Sequence, residues 1–238
     1  MKTFSIIAIA SILMSACNVF SGDWITGNGN IRTEKRNTEN FSAVKVSGSI
    51  DVEINSGDTY ALSAEDDDNL LPYVVTKVNN GILEIHYKNG TSVSNDHAKV
   101  YVTAPSLDKI IASGSADIII RDVLKNPQKI EMSVSGSGNI KGALDAPAVS
   151  IGVSGSGNVD IKGRTKDFDC SITGSGDLNC AGLQSENTIV KVSGSGNAHV
   201  FASVHLTASI FGSGDIYYGG SPTTEIHTSG SGSVQAEK

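Results

Sequence analysis

The chain has 238 residues, 39% of them hydrophobic and only 5% aromatic, with 18 basic against 25 acidic side chains and a formal net charge of −7. That balance excludes nucleic acid as a partner, because affinity for phosphates depends on clustered lysine and arginine and no such cluster occurs. The 26 glycines and scarce large rings point to one domain with an interior too narrow for aromatics.

Residues 1–16 read as a signal peptide. Lys2 supplies the charged start, Phe4 to Met14 an apolar stretch of eleven residues, and Ser15 and Ala16 the small residues ahead of Cys17. Eleven apolar residues are too few to span a bilayer. The run Leu13-Met14-Ser15-Ala16-Cys17 resembles the lipobox of bacterial lipoproteins. That resemblance implies a lipidated Cys17 as the first mature residue and a membrane partner reached through the lipid anchor. Asn18, where an aspartate would signal inner-membrane retention, favours the outer membrane by the same resemblance. Residues 17–40 are rich in Asn, Gly, Ser and Thr and are expected to form a lipidated, flexible tether that carries the sole tryptophan, Trp24.

Beyond the tether the domain is expected over 41–238, with less regular rungs over 41–125 and regular ones over 126–238. Glu65-Asp66-Asp67-Asp68-Asn69 precedes Leu70-Leu71-Pro72, which predicts a short helix with carboxylates at its N-terminus, placed to cover an open end of the fold. Further on a Ser-Gly-Ser-Gly-Asn type turn recurs. Its first glycine falls at Gly48, Gly114, Gly136, Gly155, Gly174, Gly194, Gly212 and Gly230, at steps of 18 to 22 residues after a first step of 66. Such a period means stacked rungs. The long first step, about three periods, predicts three rungs whose turns have lost the signature.

Aligned on the glycine, the copies share apolar columns. Four residues before it stand Met132, Ile151, Cys170, Val190, Ala208 and Ile226; two before, Val134, Val153, Ile172, Val192, Ile210 and Thr228; four after, Ile140, Val159, Leu178, Ala198, Ile216 and Val234. The positions between are mostly polar. Period-two alternation on both sides of a glycine corner predicts two half-buried strands per rung. The fold class is therefore all-β, a β-solenoid like a right-handed β-helix, with 18–22 residues per rung. No rung could bury its apolar face alone.

The segment Phe41-Ser-Ala-Val-Lys-Val-Ser-Gly-Ser-Ile-Asp-Val-Glu-Ile, the strand from Gly81 and the serial Gly-Ser-Gly-Asn/Asp turns together resemble the putative autotransporter-adhesin head GIN domain of envelope proteins in Bacteroidetes-type bacteria. The resemblance runs from residue 41 to about 235. It implies a β-solenoid lipoprotein with a role in attachment, and it brings no catalytic residues to carry over.

The polar column of the turns, Asp51, Asp117, Asn139, Asn158, Asp177, Asn197 and Asp215, has two readings. Calcium is one, by analogy with glycine-aspartate β-rolls. A structural ladder is favoured, because the period is twice that of a β-roll and neutral Asn is a poor ligand for a hard cation. Cys170 and Cys180 fall in inward columns of one rung, where export permits a disulfide and tight packing equally suits two buried thiols. His199, His205 and His227 lie on three different outward columns, and His86 and His97 in the less regular N-terminal half, so neither a metal nor a cofactor is expected.

Catalysis is the competing class, since β-helices include polysaccharide-cleaving enzymes. The outward acids Glu131, Asp160, Asp169 and Glu225 assemble no carboxylate pair, and no enzyme is expected. Five residues after the glycine an outward column reads Lys141, Asp160, Asn179, His199, Tyr217 and Gln235. This polar stripe is the candidate binding surface for a glycan or an extracellular protein. A periplasmic scaffold is the alternative role.

Overall fold

The computed structural model describes residues 23–237, so the expected signal peptide, Cys17 and the first part of the tether lie outside the described residues. The chain is an all-β solenoid of about seven turns. Its N-terminal part holds strands β1 (Asp23–Thr26), β2 (Ile31–Arg36), β3 (Ala43–Gly48), β4 (Asp51–Ser56), β5 (Ala61–Asp67), β6 (Val74–Asn79), β7 (Ile82–Tyr87), β8 (Thr91–Ser94) and β9 (Lys99–Ala104). The rungs continue with β10 (Lys109–Gly114), β11 (Ile118–Lys125), β12 (Lys129–Gly136), β13 (Asn139–Asp145), β14 (Ala148–Gly155), β15 (Asn158–Arg164) and β16 (Asp167–Gly174). The last are β17 (Leu178–Asn179), β18 (Leu183–Gln184), β19 (Asn187–Gly194), β20 (Ala198–Phe201), β21 (His205–Gly212), β22 (Ile216–Gly219), β23 (Thr223–Gly230) and β24 (Val234–Ala236).

Two sheets face each other across the core. One runs β23-β21-β19-β16-β14-β12-β10-β3-β7-β6; the other runs β2-β5-β9-β4-β11-β13-β15-β17-β20-β22-β24, with β18 beside β15. Along the stack from β7 and β9 to β23 and β24 the pairing is parallel, and like residues of successive rungs are register partners, as in Ile130↔Val149 and Val149↔Phe168. The predicted apolar columns are buried from the first rung to β21, while Ile226 is 42% exposed because, among the described residues, β23 is the edge strand of its sheet. Thr188 occupies an apolar column fully buried, and its hydroxyl is satisfied by the Phe201 carbonyl at 2.7 Å and the Ser185 hydroxyl at 2.7 Å.

Three expectations for the N-terminal part are corrected. The 66-residue step is a single step of the stack, since Gly48 and Gly114 are direct register partners. The intervening chain leaves the β3–β4 rung and builds one further rung, β7 and β9, on its outer side. It then returns to stack β10 and β11 on the inner side. The remaining strands of this excursion, β5 and β6, run antiparallel to β9 and β7, and β2 is antiparallel to β5. They close strand edges that would otherwise stay open to other chains.

The predicted short helix is only a 3₁₀ turn, Leu71–Tyr73, with no acid in its first turn. The acids instead end β5, where Leu62, Ala64 and Asp66 continue one inward alternation. The tether is shorter than expected. β1 pairs with β8 and β2 with β5. β2 is exposed at five of its six residues, so it is held by backbone and polar bonds that leave no hydrophobic signature.

Candidate functional site

The recurrent turn is built by close backbone approach. In each copy the first glycine has positive φ, for example 117° at Gly155. From Gly114 to Gly212 its carbonyl accepts two amide N–H groups of the next rung: Gly155 O takes Ser175 N at 2.8 Å and Gly176 N at 3.0 Å. A Cβ on Gly155 would lie 2.5 Å from Gly136 O, and one on Gly157 would likewise meet Gly138 O. Both glycines of the motif are thus required by the neighbouring rung's carbonyl, and the serine between them faces solvent.

The polar turn column is a hydrogen-bonded ladder. Asp117 Oδ1 accepts the Asn139 amide at 3.1 Å, Asn139 Oδ1 accepts that of Asn158 at 3.1 Å, and Asn158 Oδ1 accepts that of Asp177 at 3.0 Å. Asp177 Oδ1 then takes Asn197 N at 2.8 Å, Asn197 Oδ1 takes Asp215 N at 3.1 Å, and Asp215 Oδ1 takes Ser233 N at 2.8 Å. Asp51 begins the series by accepting Asp117 N at 3.0 Å. The Ser233 hydroxyl and amide hold the Asp215 carboxyl below its ordinary pKa. Asn139, Asn158 and Asn197 also donate Nδ2–H to the preceding Oδ1, which spaces the carboxylates along the rod.

The outward stripe is a true column. Lys141, Asp160, Asn179, His199, Tyr217 and Gln235 are successive register partners on β13, β15, β17, β20, β22 and β24. Lys141 Nζ lies 3.6 Å from Asp160 Oδ2. At the other end the His199 and Tyr217 rings stack at 4.7 Å and 16°, and His199 Nδ1 is 3.0 Å from Glu237 Oε1. Asn179 stands exposed between these two tied pairs. The column therefore offers a flat polar strip with one ring pair, about 4.8 Å between neighbouring positions.

The acidic run forms a site that sequence reasoning missed. Asp66 and Asp67 are fully buried. Asp66 Oδ1 accepts His97 N at 3.0 Å, and its Oδ2 accepts the Tyr87 hydroxyl at 2.7 Å. Asp67 Oδ2 pairs with His97 Nδ1 at 2.9 Å, while its Oδ1 takes the Gly29 amide. Asp68 receives the side-chain amides of Asn28 at 2.7 Å and Asn30 at 3.2 Å. The run is thus a polar seam fastening the 27–30 loop, β7 and the 95–97 loop to the end of β5. The His97 hydrogen bond holds Asp67 below the usual carboxylate range, and the same bond raises His97. Burial, then Asp66, push the Tyr87 phenol upward. The available signal was parity: Asp66 follows Leu62 and Ala64 at period two.

Other candidates stay apart. Cys170 and Cys180 are free, buried thiols; burial raises both, Cys180 to about 12. Glu131, Asp169 and Glu225 share one outward column, separated by Ser150, Ile189 and Thr207, and Asp160 lies on the opposite sheet. Glu131 is flanked by Lys109 at 3.2 Å and Lys129 at 2.7 Å. No two of these acids meet on adjacent rungs. Among the described residues no three His, Cys, Asp or Glu side chains converge as a metal site.

A comparison with curated proteins gave no match. The solved structures did. A putative lipid binding protein from Parabacteroides distasonis ATCC 8503 is 27% identical with a TM-score of 0.76, over 91% of this chain and all of that one. A putative adhesin from the same strain is 28% identical with a TM-score of 0.72, over 90% of this chain and all of that one. A putative adhesin from Bacteroides fragilis NCTC 9343 shares the fold with a TM-score of 0.85 at 20% identity, over 90% of this chain and all of that one. The family model described as putative auto-transporter adhesin, head GIN domain, matches residues 40–222, every rung from β3 to β22, and the chain belongs to that family.

Proposed function

We propose that this protein is a non-catalytic binding module of the cell envelope, anchored by a lipid on Cys17, whose solenoid presents polar columns to an extended glycan or protein strand. The observation that carries the reading is the in-register stripe from Lys141 to Gln235, which repeats a contact position at the strand spacing over six rungs. Extended polymers bind such surfaces through many small contacts rather than one deep pocket. The family description as an adhesin supports attachment over catalysis. Only five residues, 18–22, separate Cys17 from β1, at most about 20 Å of extended chain. An anchor there holds the β2/β5 end near the bilayer and leaves Tyr217 and Gln235 farther out.

Protease shaving of intact cells, blotted beside a periplasmic control, tests the location. Loss of this protein with the control intact is expected, whereas full protection assigns a periplasmic scaffold role. On a glycan and matrix-protein array, Tyr217→Ala and Asn179→Ala should each weaken whatever ligand the parent retains. Parent-like binding by both variants removes the stripe from the reading.

A further inference from the structure

Between the outer face of β3 and β7 and the small β1–β8 ribbon lies a groove of about 680 Å³, within the range of small-ligand sites. Its rim carries Trp24, 75% exposed on β1, where a buried position would be normal for so large a ring. Lys45 from β3 and Lys88 after β7 bring two ammonium groups to the lining of a molecule whose net charge is −7. Lys88 is steadied by the Tyr73 ring, 5.3 Å from its amine. The groove's own carboxylate, Glu84, accepts the Asn79 side-chain amide at 2.6 Å. Among the described residues neither lysine forms an ion pair. Asn89 and the hydroxyls of Ser47, Ser49, Thr91 and Ser92 supply neutral donors and acceptors on the same walls.

We propose that this groove binds an anionic saccharide. A sugar ring offers one flat C–H face and many hydroxyls, which match an exposed indole beside serine, threonine and asparagine side chains. A carboxylate or phosphate on that sugar would meet Lys45 and Lys88, and such charge-assisted hydrogen bonds are the stronger kind. A neutral sugar leaves the two ammonium groups unused. A bilayer surface suits the concave shape less well, because a flat headgroup layer cannot enter it. The site is distinct from the stripe: it uses the other sheet and the end of the solenoid that carries the β1–β8 ribbon.

Trp24 is the only tryptophan of the chain, so its fluorescence reports the groove alone. The experiment titrates the mature protein with a galacturonic acid trimer, with its neutral galactose counterpart, and with phosphatidylglycerol vesicles. The expected result is a saturable Trp24 signal with the acidic trimer only. Lys45→Gln should weaken it about tenfold, equivalent to about 1.4 kcal/mol, with an unchanged melting temperature. Lys191→Gln, an exposed lysine on a distant rung, should leave the titration as in the parent. No saturable change up to about 1 mM trimer, an equal response to the neutral trimer, or a spectral blue shift with vesicles and none with sugars would each overturn the proposal.

Discussion

At the scale of single residues, the repeat is written by what a neighbouring carbonyl oxygen forbids. The first glycines of the turns form one column, yet they do not share one environment. Gly155, at φ 117°, has Gly136 O 2.5 Å from where its Cβ would stand, whereas Gly48, at φ 97°, has nothing within 4 Å because no glycine turn stacks outside it. Backbone strain alone should make Gly48→Ala cost about 1–2 kcal/mol. Gly155→Ala adds a backbone collision that neither rung can relieve without losing the paired amides, and a cost above about 3 kcal/mol is expected. Urea denaturation of the two variants measures the difference. Equal costs would show that positive φ, and not the stacked carbonyl, selects glycine in this column.

At the scale of elements, the rungs and the N-terminal closing layer obey different chemistry, and only the first was legible in the sequence. β12 to β22 could be counted because glycine, apolar and Asx positions recur in step, and the same counting placed Lys141 to Gln235 on one column. β2, β5 and β6 are held by antiparallel backbone pairing and by the polar seam at Asp66 and Asp67, neither of which repeats at the rung length; the one trace is the period-two alternation of Leu62, Ala64 and Asp66 in β5. A run of acids reads as exposed, and here two of them are buried because His97, Tyr87 and backbone amides supply their donors. The groove was equally hidden, since Trp24, Lys45 and Lys88 meet only once the chain has made its excursion around the first rung.

The seam has a pH signature. Asp67 has a lowered folded pKa, so its contribution is present above the ordinary value of about 3.9 and is lost as pH falls through the lowered one. His97 has a raised folded pKa, so its contribution is complete below about 6.5 and is lost as pH rises through the raised one. The pair therefore fastens the closing layer most firmly at mildly acidic pH. Thermal melts should show stability declining from about pH 6.5 upward, and His97→Gln should flatten that limb. A parent profile with no alkaline decline, or a variant that keeps it, would mean that the backbone pairing alone closes this end.

At the scale of the whole molecule, a solenoid is a row of nearest-neighbour interfaces, and its two ends here are unequal. The β7/β9 end is covered by antiparallel strands and locked by the seam. At the other end all eight residues of β23 are exposed, and Ile226 is 42% exposed although Cys170, Val190 and Ala208 in its column are buried. A terminal rung with one interface opens at lower free energy than an interior rung with two. Hydrogen exchange should therefore be fastest in β23 and β24, slower in β21 and β22, and slowest from β10 to β14. Truncation gives the same gradient in energy: Ile172→Ala, at an interior position 1% exposed, should cost about 2–5 kcal/mol, and Ile226→Ala less than about 1 kcal/mol. Fast exchange confined to β23 and β24 would leave Gln235, the last residue of the stripe, on the most deformable stretch of the solenoid, where an extended ligand adds a stacking partner to the terminal rung. Slow exchange in β23 that speeds up on dilution would instead mean that its open edge pairs with a second chain.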